Sequence, residues 1–469
     1  MITRRQFLHA GSSLLAGAAW PSALTRAAQG GDLPRRPVPT PAQLAWQECE
    51  VGVIYHFDLP TAAGDRTGNN AVRRTFDPNL YQPRQLDTDQ WIEAAKACGA
   101  RYALFTATHF NGFLQWQSDL YPYGLKQTSW RGGKGDVVAD FVASCRRAGI
   151  KPGLYFSTHR NVYQQVWGYY ADWGKGRGTP AQAAYNRIAE KQLEELCSRY
   201  GPLVQIWFDA GTKTPAEGGP DMLPIFDRHQ PNSVFYHCRD RSEHRWIGNE
   251  KGYANYPCWA TMPGQVGELS HNAPAWKNIL GTGDPDGTVW SPGMVDVPLR
   301  GANKVHSWFW APDQEHAVEP LDRLVQMYLD SVGRNCNFIL GEVVTPDGLV
   351  PEHDLRRLAE FGREIRRRWG RPVAETSGHG AVVELTLPAA TRVSSVVLQE
   401  DIALGERVRR YVVSGRRPDG EWAEIARGQS IGHKRLEVFA PLEVTALRFS
   451  ANQSTAEPRL RQFAAYAGT

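Results

Sequence analysis

The chain has 469 residues, 42% of them hydrophobic and 22% charged, with a formal net charge of +4. That balance belongs to an ordinary globular protein long enough for one large core and a second domain, and it carries no basic run of the kind nucleic-acid binding needs. Its 16 Trp and 17 Tyr are unusual. Aromatic rings fill cores, and they also pack against the C–H faces of sugars, so both readings stand at this point.

The first thirty residues, "MITRRQFLHAGSSLLAGAAWPSALTRAAQG", place Arg4-Arg5 ahead of an apolar stretch too short to span a bilayer. This is the pattern of a twin-arginine export signal over residues 1–28, which implies a periplasmic or secreted mature protein. Nothing later in the chain reads as a membrane span. Seven cysteines are scattered without a C-x-x-C pair, which argues for buried thiols over a zinc or redox module.

After a Pro-rich lead-in, short apolar runs alternate with helical patterns. Strands are expected at Val51–Phe57, Tyr102–Thr108, Gly153–Ser157, Val204–Ala210, Ser233–His237 and Asn335–Leu340. Amphipathic helices are expected at Asp87–Ala100, Gly135–Gly149 and Ala183–Gly201. This order predicts parallel strands with crossover helices over residues 29–372, a (β/α)8-like barrel in the α/β class; no Gly-x-Gly-x-x-Gly turn favours a dinucleotide fold. From residue 373 to 469 short alternating strands follow one another without a long helix, which predicts an all-β sandwich. That domain is equally readable as a buttress or as a carbohydrate-binding module.

Barrel chemistry sits where strands end. His56, His109, Ser157 and Asp209 occupy such positions, and Tyr155 lies in the third strand, two residues before Ser157. The segment "THFNGFLQW" (Thr108 to Trp116) combines His109 with rings at Phe113 and Trp116 that are expected to wall a pocket. Glycosidic hydrolysis without a metal needs two carboxyl groups, roughly 5–5.5 Å apart in a retaining enzyme. Asp209, held rigid after Ile206-Trp207-Phe208, is the candidate nucleophile, and its alternative is a turn-capping aspartate. Glu250 in "HRWIGNE" is the candidate acid/base, expected beside Trp246 in desolvated surroundings that raise its pKa; Glu268 is the rival. A second reading gathers His56, Asp58, His109 and His159 around a metal. Their spacing forms no persuasive ligand set, and the expectation is no metal.

These segments resemble the α-L-fucosidases of glycoside hydrolase family 29. "GVIYHFD" resembles the family strand that ends on a sugar-binding histidine, here His56. "YGPLVQIWFDA" is similar to the segment carrying the nucleophile, here Asp209. "RWIGNE" is similar to the acid/base segment of the branch selective for α-1,3/1,4 linkages, here Glu250. "YLDSVGRNCNFIL" and "VVLQEDIALGERVRRY" fit that branch and its β-sandwich. The resemblance implies a retaining exo-enzyme with no cofactor, acting on fucosylated oligosaccharides or glycoprotein glycans, with no nucleic-acid or membrane partner. It implies sugar contacts from His56 and His109, and support of the nucleophile strand by Trp207. Tyr155, Trp116 and Trp246 are the further candidates for contact with substrate. Two departures stand out. Phe110 occupies the place of the family's second histidine, and "WSPGM" (Trp290 to Met294) replaces a Trp-x-Pro-x-Glu loop that shapes the site.

Overall fold

The computed structural model describes residues 36–65, 74–264 and 277–467. The proposed export signal and Glu268 lie outside the described residues. The expected strand–helix alternation is present. Barrel strands β1 (Val51–His56), β2 (Tyr102–Thr108), β3 (Lys151–Phe156), β4 (Gln205–Thr212), β5 (Val234–Cys238), β6 (Arg245–Trp246), β7 (Gly293–Pro298) and β8 (Cys336–Val343) form one eight-stranded sheet. Every pairing within it is parallel, and β1 lies between β2 and β8, so the sheet curls into a nearly closed barrel. Its seam falls between β5 and β6. There the chain turns at Cys238–Arg241 and runs back beside β5, where the Glu243 N–H donates to the Phe235 carbonyl at 3.2 Å. A six-residue return leaves no room for a crossover helix.

The main helices are α1 (Thr88–Cys98), α2 (Val137–Ala148), α3 (Pro180–Arg199), α4 (Leu223–His229), α5 (Leu321–Asp330) and α6 (Glu352–Trp369). They start and stop where sequence chemistry dictates. The Asp87 carboxylate accepts from the backbone N–H groups of Asp89 and Gln90 at 2.9 and 3.2 Å, and Gly99 closes α1 in the left-handed conformation at φ 90°. Such an N-cap contributes about 1 kcal/mol. Each strand from β1 to β4 is buried on both faces for most of its length, which explains why it reads as a continuous apolar run rather than an alternating one.

The barrel interior is filled, not hollow. Beneath the mouth, Trp207 meets Tyr236 edge-on at 5.7 Å, Tyr236 stacks on His244 at 4.2 Å, and His244 stacks on Trp46 at 4.4 Å. Gln205 ties this column together, accepting from the Trp46 indole N–H at 3.0 Å and meeting His244 Nε2 at 2.9 Å.

The C-terminal domain is one antiparallel sheet of β9 (Ala374–His379), β10 (Val382–Glu400), β11 (Val408–Arg416), β12 (Trp422–Gly428), β13 (Arg435–Ser454) and β14 (Arg459–Ala467), in the order β9-β14-β10-β13-β11-β12. The two long strands bend at register shifts and fold the sheet over a core of Val383, Leu385, Val413, Leu447, Phe449 and Phe463. Polar contacts bind this domain to the barrel. Glu406 accepts from the Ala260 N–H at 3.0 Å, and Glu50 meets His433 and Lys434 at 3.0 and 2.6 Å. All seven cysteines are buried free thiols, and among the described residues no helix is long and apolar enough to cross a membrane.

Candidate active site

The strand ends of the barrel converge on a cavity of about 310 Å³. β1 brings His56, the turn after β2 brings His109 and Phe110, β3 brings Tyr155, and β4 brings Trp207 and Asp209. β7 adds Asp296, while the loops after β6 and β7 add Glu250 and the group His306, Trp308 and Phe309. The size fits one sugar ring.

Asp209 is fixed by local backbone chemistry. Ala210 and Gly211 follow it with φ of 59° and 79°, so the strand breaks its pleat immediately after the carboxylate. Gly211 has a second reason to be glycine, because a Cβ there would stand 2.8 Å from the His237 ring. The Tyr155 hydroxyl donates to Asp209 Oδ2 at 2.9 Å. Burial and the adjacent Asp209 charge raise the Tyr155 pKa far above its usual value, so it remains a donor at every working pH.

His56 and His109 are both buried, and burial holds the His56 pKa down at about 3 and that of His109 well below its usual value. Both are neutral ligands across the physiological range, and His109 Nδ1 is buried without a hydrogen-bond partner among the described residues. Phe309 stands 5.2 Å from His56 and 4.8 Å from His109, ring centre to ring centre, and gives the pocket an apolar wall.

Glu250 is the half-exposed acid of the site. Its Oε2 meets His306 Nε2 at 2.6 Å and accepts from the Trp308 indole N–H at 3.2 Å. Burial pushes its carboxyl up, but the hydrogen bond and charge of His306 outweigh that and hold it below the usual range. This reverses the expectation of a raised pKa, and the reason is the neighbour: Trp308 and His306, not Trp246, face Glu250. The raised carboxyl is Asp296. Burial first, then the charge of Glu250, push it well above the usual range, with Asp209 adding to the effect, while the Trp246 N–H donates to its Oδ1 at 2.8 Å. The surroundings therefore favour the ionised form of Glu250 and the protonated form of Asp296.

His56, His109, Tyr155, Trp207, Asp209 and Glu250 thus meet in one cavity, and four other sequence expectations need correction. Trp116 does not wall the pocket. It is fully buried outside the barrel, and its indole N–H donates to Glu195 of α3 at 2.8 Å. Phe113 stacks on Tyr81 at 5.3 Å in the same layer. The turn between them and His109 is a structural device: Asn111 donates to Asp58 Oδ2 at 2.6 Å and accepts from the Phe113 N–H at 2.6 Å. Trp246 does not line the cavity and acts on it through Asp296. Met294, expected in a loop, sits inside β7 and is fully buried in the barrel interior with Ile54, Tyr155 and Trp207. The Asp58 carboxylate, bound to Asn111 and capping Thr61, is spent on structure. Among the described residues no group of three or more His, Cys, Asp or Glu side chains could hold a metal.

Asp296, His306, Trp308 and Phe309 were not singled out in the sequence. Only Asp296 carries a signal, as a lone carboxylate inside the apolar run "MVDVP".

Carboxyl groups pushed in opposite directions by their surroundings, neutral imidazoles and an apolar ring wall suit hydrolysis of a glycosidic bond. With the barrel that carries them, they put this protein among the barrel glycoside hydrolases. The known proteins it resembles are consistent with that class. The alpha-L-fucosidase family model matches residues 65–285. A rice protein assigned as alpha-L-fucosidase 1 is 31% identical over 92% of this chain and 86% of its own length. Alpha-L-fucosidase 1 of Arabidopsis thaliana is 28% identical over 92% of this chain and 88% of its own. A crystal structure of a protein assigned as an alpha-L-fucosidase, from Bacteroides thetaiotaomicron VPI-5482, superposes with a TM-score of 0.88 at 44% identity, covering 92% of this chain and 100% of that one. The chain belongs to the alpha-L-fucosidase family.

Proposed function

We propose that the protein is a retaining exo-fucosidase that releases terminal α-1,3- or α-1,4-linked L-fucose from oligosaccharides or glycoprotein glycans. The observation that carries this reading is the meeting of Asp209, oriented by Tyr155, with Glu250 in one sugar-sized cavity. Asp209 attacks the anomeric carbon as the bond to the leaving oxygen breaks, and Glu250 delivers the proton that oxygen needs. The 2.6 Å contact with His306 holds Glu250 at the exposed edge where an acceptor sugar departs. Water then enters there, gives its proton back to Glu250 and frees Asp209. His56 and His109 bind hydroxyls, and Phe309 and Trp308 take the apolar side of a 6-deoxy sugar. The linkage preference rests on the sequence segment around Glu250.

The test is a set of glycans carrying α-1,2, α-1,3, α-1,4 or α-1,6 fucose, followed by NMR of the first anomer released. Release from the α-1,3 and α-1,4 members, with α-fucose appearing before mutarotation, is expected. First release of β-fucose would refute retention. Binding in calorimetry without any release would make the protein a glycan-binding relative instead.

The His306 contact gives a pH prediction. It lowers the Glu250 pKa, so His306→Asn raises it, and the form of Glu250 able to donate persists to higher pH. The basic limb of kcat/KM should therefore move upward, and an unmoved limb would separate His306 from proton transfer.

For localisation, we propose export through the twin-arginine signal at residues 1–28. A signal-free protein recovered from the periplasm or medium is expected, and retention of the full chain in the cytoplasm would contradict it.

A further inference from the structure

The strongest unassigned feature beside the cavity is Arg160. It lies in a short hairpin in which Arg160–Asn161 pairs with Val166–Trp167. Its guanidinium stacks between two rings, 4.8 Å from the centre of Phe110 and 4.2 Å from that of Trp167. Phe110 itself lines the cavity. The hairpin is stitched to the turn after β2, with the Val162 N–H donating to the Phe110 carbonyl at 2.9 Å and that of Tyr163 to the Asn111 carbonyl at 3.2 Å. Asn161 anchors it from below by donating to the Tyr121 hydroxyl at 3.3 Å. The arginine is therefore held in place, not waving in solvent.

Among the described residues it lacks an anionic partner. Arg160 Nε is buried without a hydrogen bond, and among the described residues the side chain makes no ion pair. Its charge is felt by His109 and Tyr155, both in the cavity. Two ring faces orient a guanidinium but do not accept from its buried Nε–H, and a fork so held, with no protein carboxylate beside it among the described residues, matches a planar or tetrahedral anion with two acceptor oxygens. A hydroxyl group could be bound by a neutral donor and would leave the charge unbalanced. Phe110 separates Arg160 from the cavity by one ring, so the anion belongs outside the fucose pocket, on the oligosaccharide that leaves.

We propose that Arg160 binds an anionic substituent, a carboxylate or a sulfate ester, on the saccharide to which the scissile fucose is attached. This rests on the exo-fucosidase reading and deepens it by naming the acceptor class. Phe110 and Trp167 act as the walls that preset the guanidinium.

The test uses the full chain and three probes: fucosyl-α-1,3-N-acetyllactosamine, the same glycan sulfated on galactose, and the same glycan bearing a terminal sialic acid. At low salt the native protein is expected to favour at least one acidic probe over the neutral one by about tenfold in kcat/KM, mainly through KM. The two acidic arms distinguish sulfate from carboxylate. Arg160→Gln should bring the acidic-to-neutral ratio to about one, Arg160→Lys should restore part of it, and added salt should erode the native preference. A native ratio near one, or a ratio unchanged in Arg160→Gln, overturns the proposal. If no probe is turned over, the fucosidase reading fails by itself, and calorimetric affinities of the same three glycans decide the Arg160 site separately. If the Gln variant does not fold, the Lys variant and the salt dependence of the native ratio carry the decision.

Discussion

Asp209→Ala should lower kcat by roughly 10⁴-fold or more, because it removes the group that forms the covalent intermediate. Folding should be spared, since the side chain faces the cavity and the Tyr155 hydroxyl that donates to it can be satisfied by water. The decisive measurement is rescue by azide. A small anion can enter the space left by the carboxylate and attack the anomeric carbon from the same side, giving a fucosyl azide of inverted configuration. Recovery of turnover with that product is expected. Activity near that of the native protein, or rescue that yields only the retained product, would remove Asp209 from the role proposed for it.

The second large effect concerns stability. Arg300 follows β7, and its Nε and Nη2 donate to the two oxygens of Asp354 in the first turn of α6 at 2.9 and 3.0 Å. Both side chains are completely buried. Glu342 of β8 shares this interior, its carboxyl pushed well above the usual range by burial and then by the charge of Asp354. Arg300→Met removes the guanidinium paired with Asp354 and leaves that carboxylate buried without it, at a cost of about 3–5 kcal/mol. The same residue holds the loop that carries His306 and Trp308, because the Ser307 N–H donates to the Arg300 carbonyl at 3.1 Å. Denaturant unfolding of the full chain measures the loss. The double change Arg300→Met with Asp354→Leu should recover most of it, since an apolar pair leaves no charge to desolvate. A single-variant loss below about 1 kcal/mol would show that the pair contributes little to folding.

The parts of the site that could be read in the sequence share one property: they lie on strands long enough to show as apolar runs. His56, His109, Tyr155, Trp207 and Asp209 all sit in or directly after β1 to β4, whose burial on both faces makes them legible. The rim position of each then follows from the barrel order. Trp116 failed because an aromatic ring has the same signature whether it walls a pocket or packs between a barrel and its helices; only its bond to Glu195 separates the two. Trp246 failed for a different reason. Its strand β6 spans two residues, too few for any period, so sequence proximity to Glu250 stood in for spatial contact.

Chain chemistry alone therefore determined the alternation of strands and helices, the change to an all-β domain, and which histidines and which aspartate end the early strands. These follow from local hydrophobic periodicity and capping, which depend on near neighbours. The tertiary structure decided the electrostatics: it brought Asp296, Glu250 and His306 together from three segments of the chain. That proximity set the direction in which each acid is pushed, because desolvation and charge act through space and leave no mark on the order of residues.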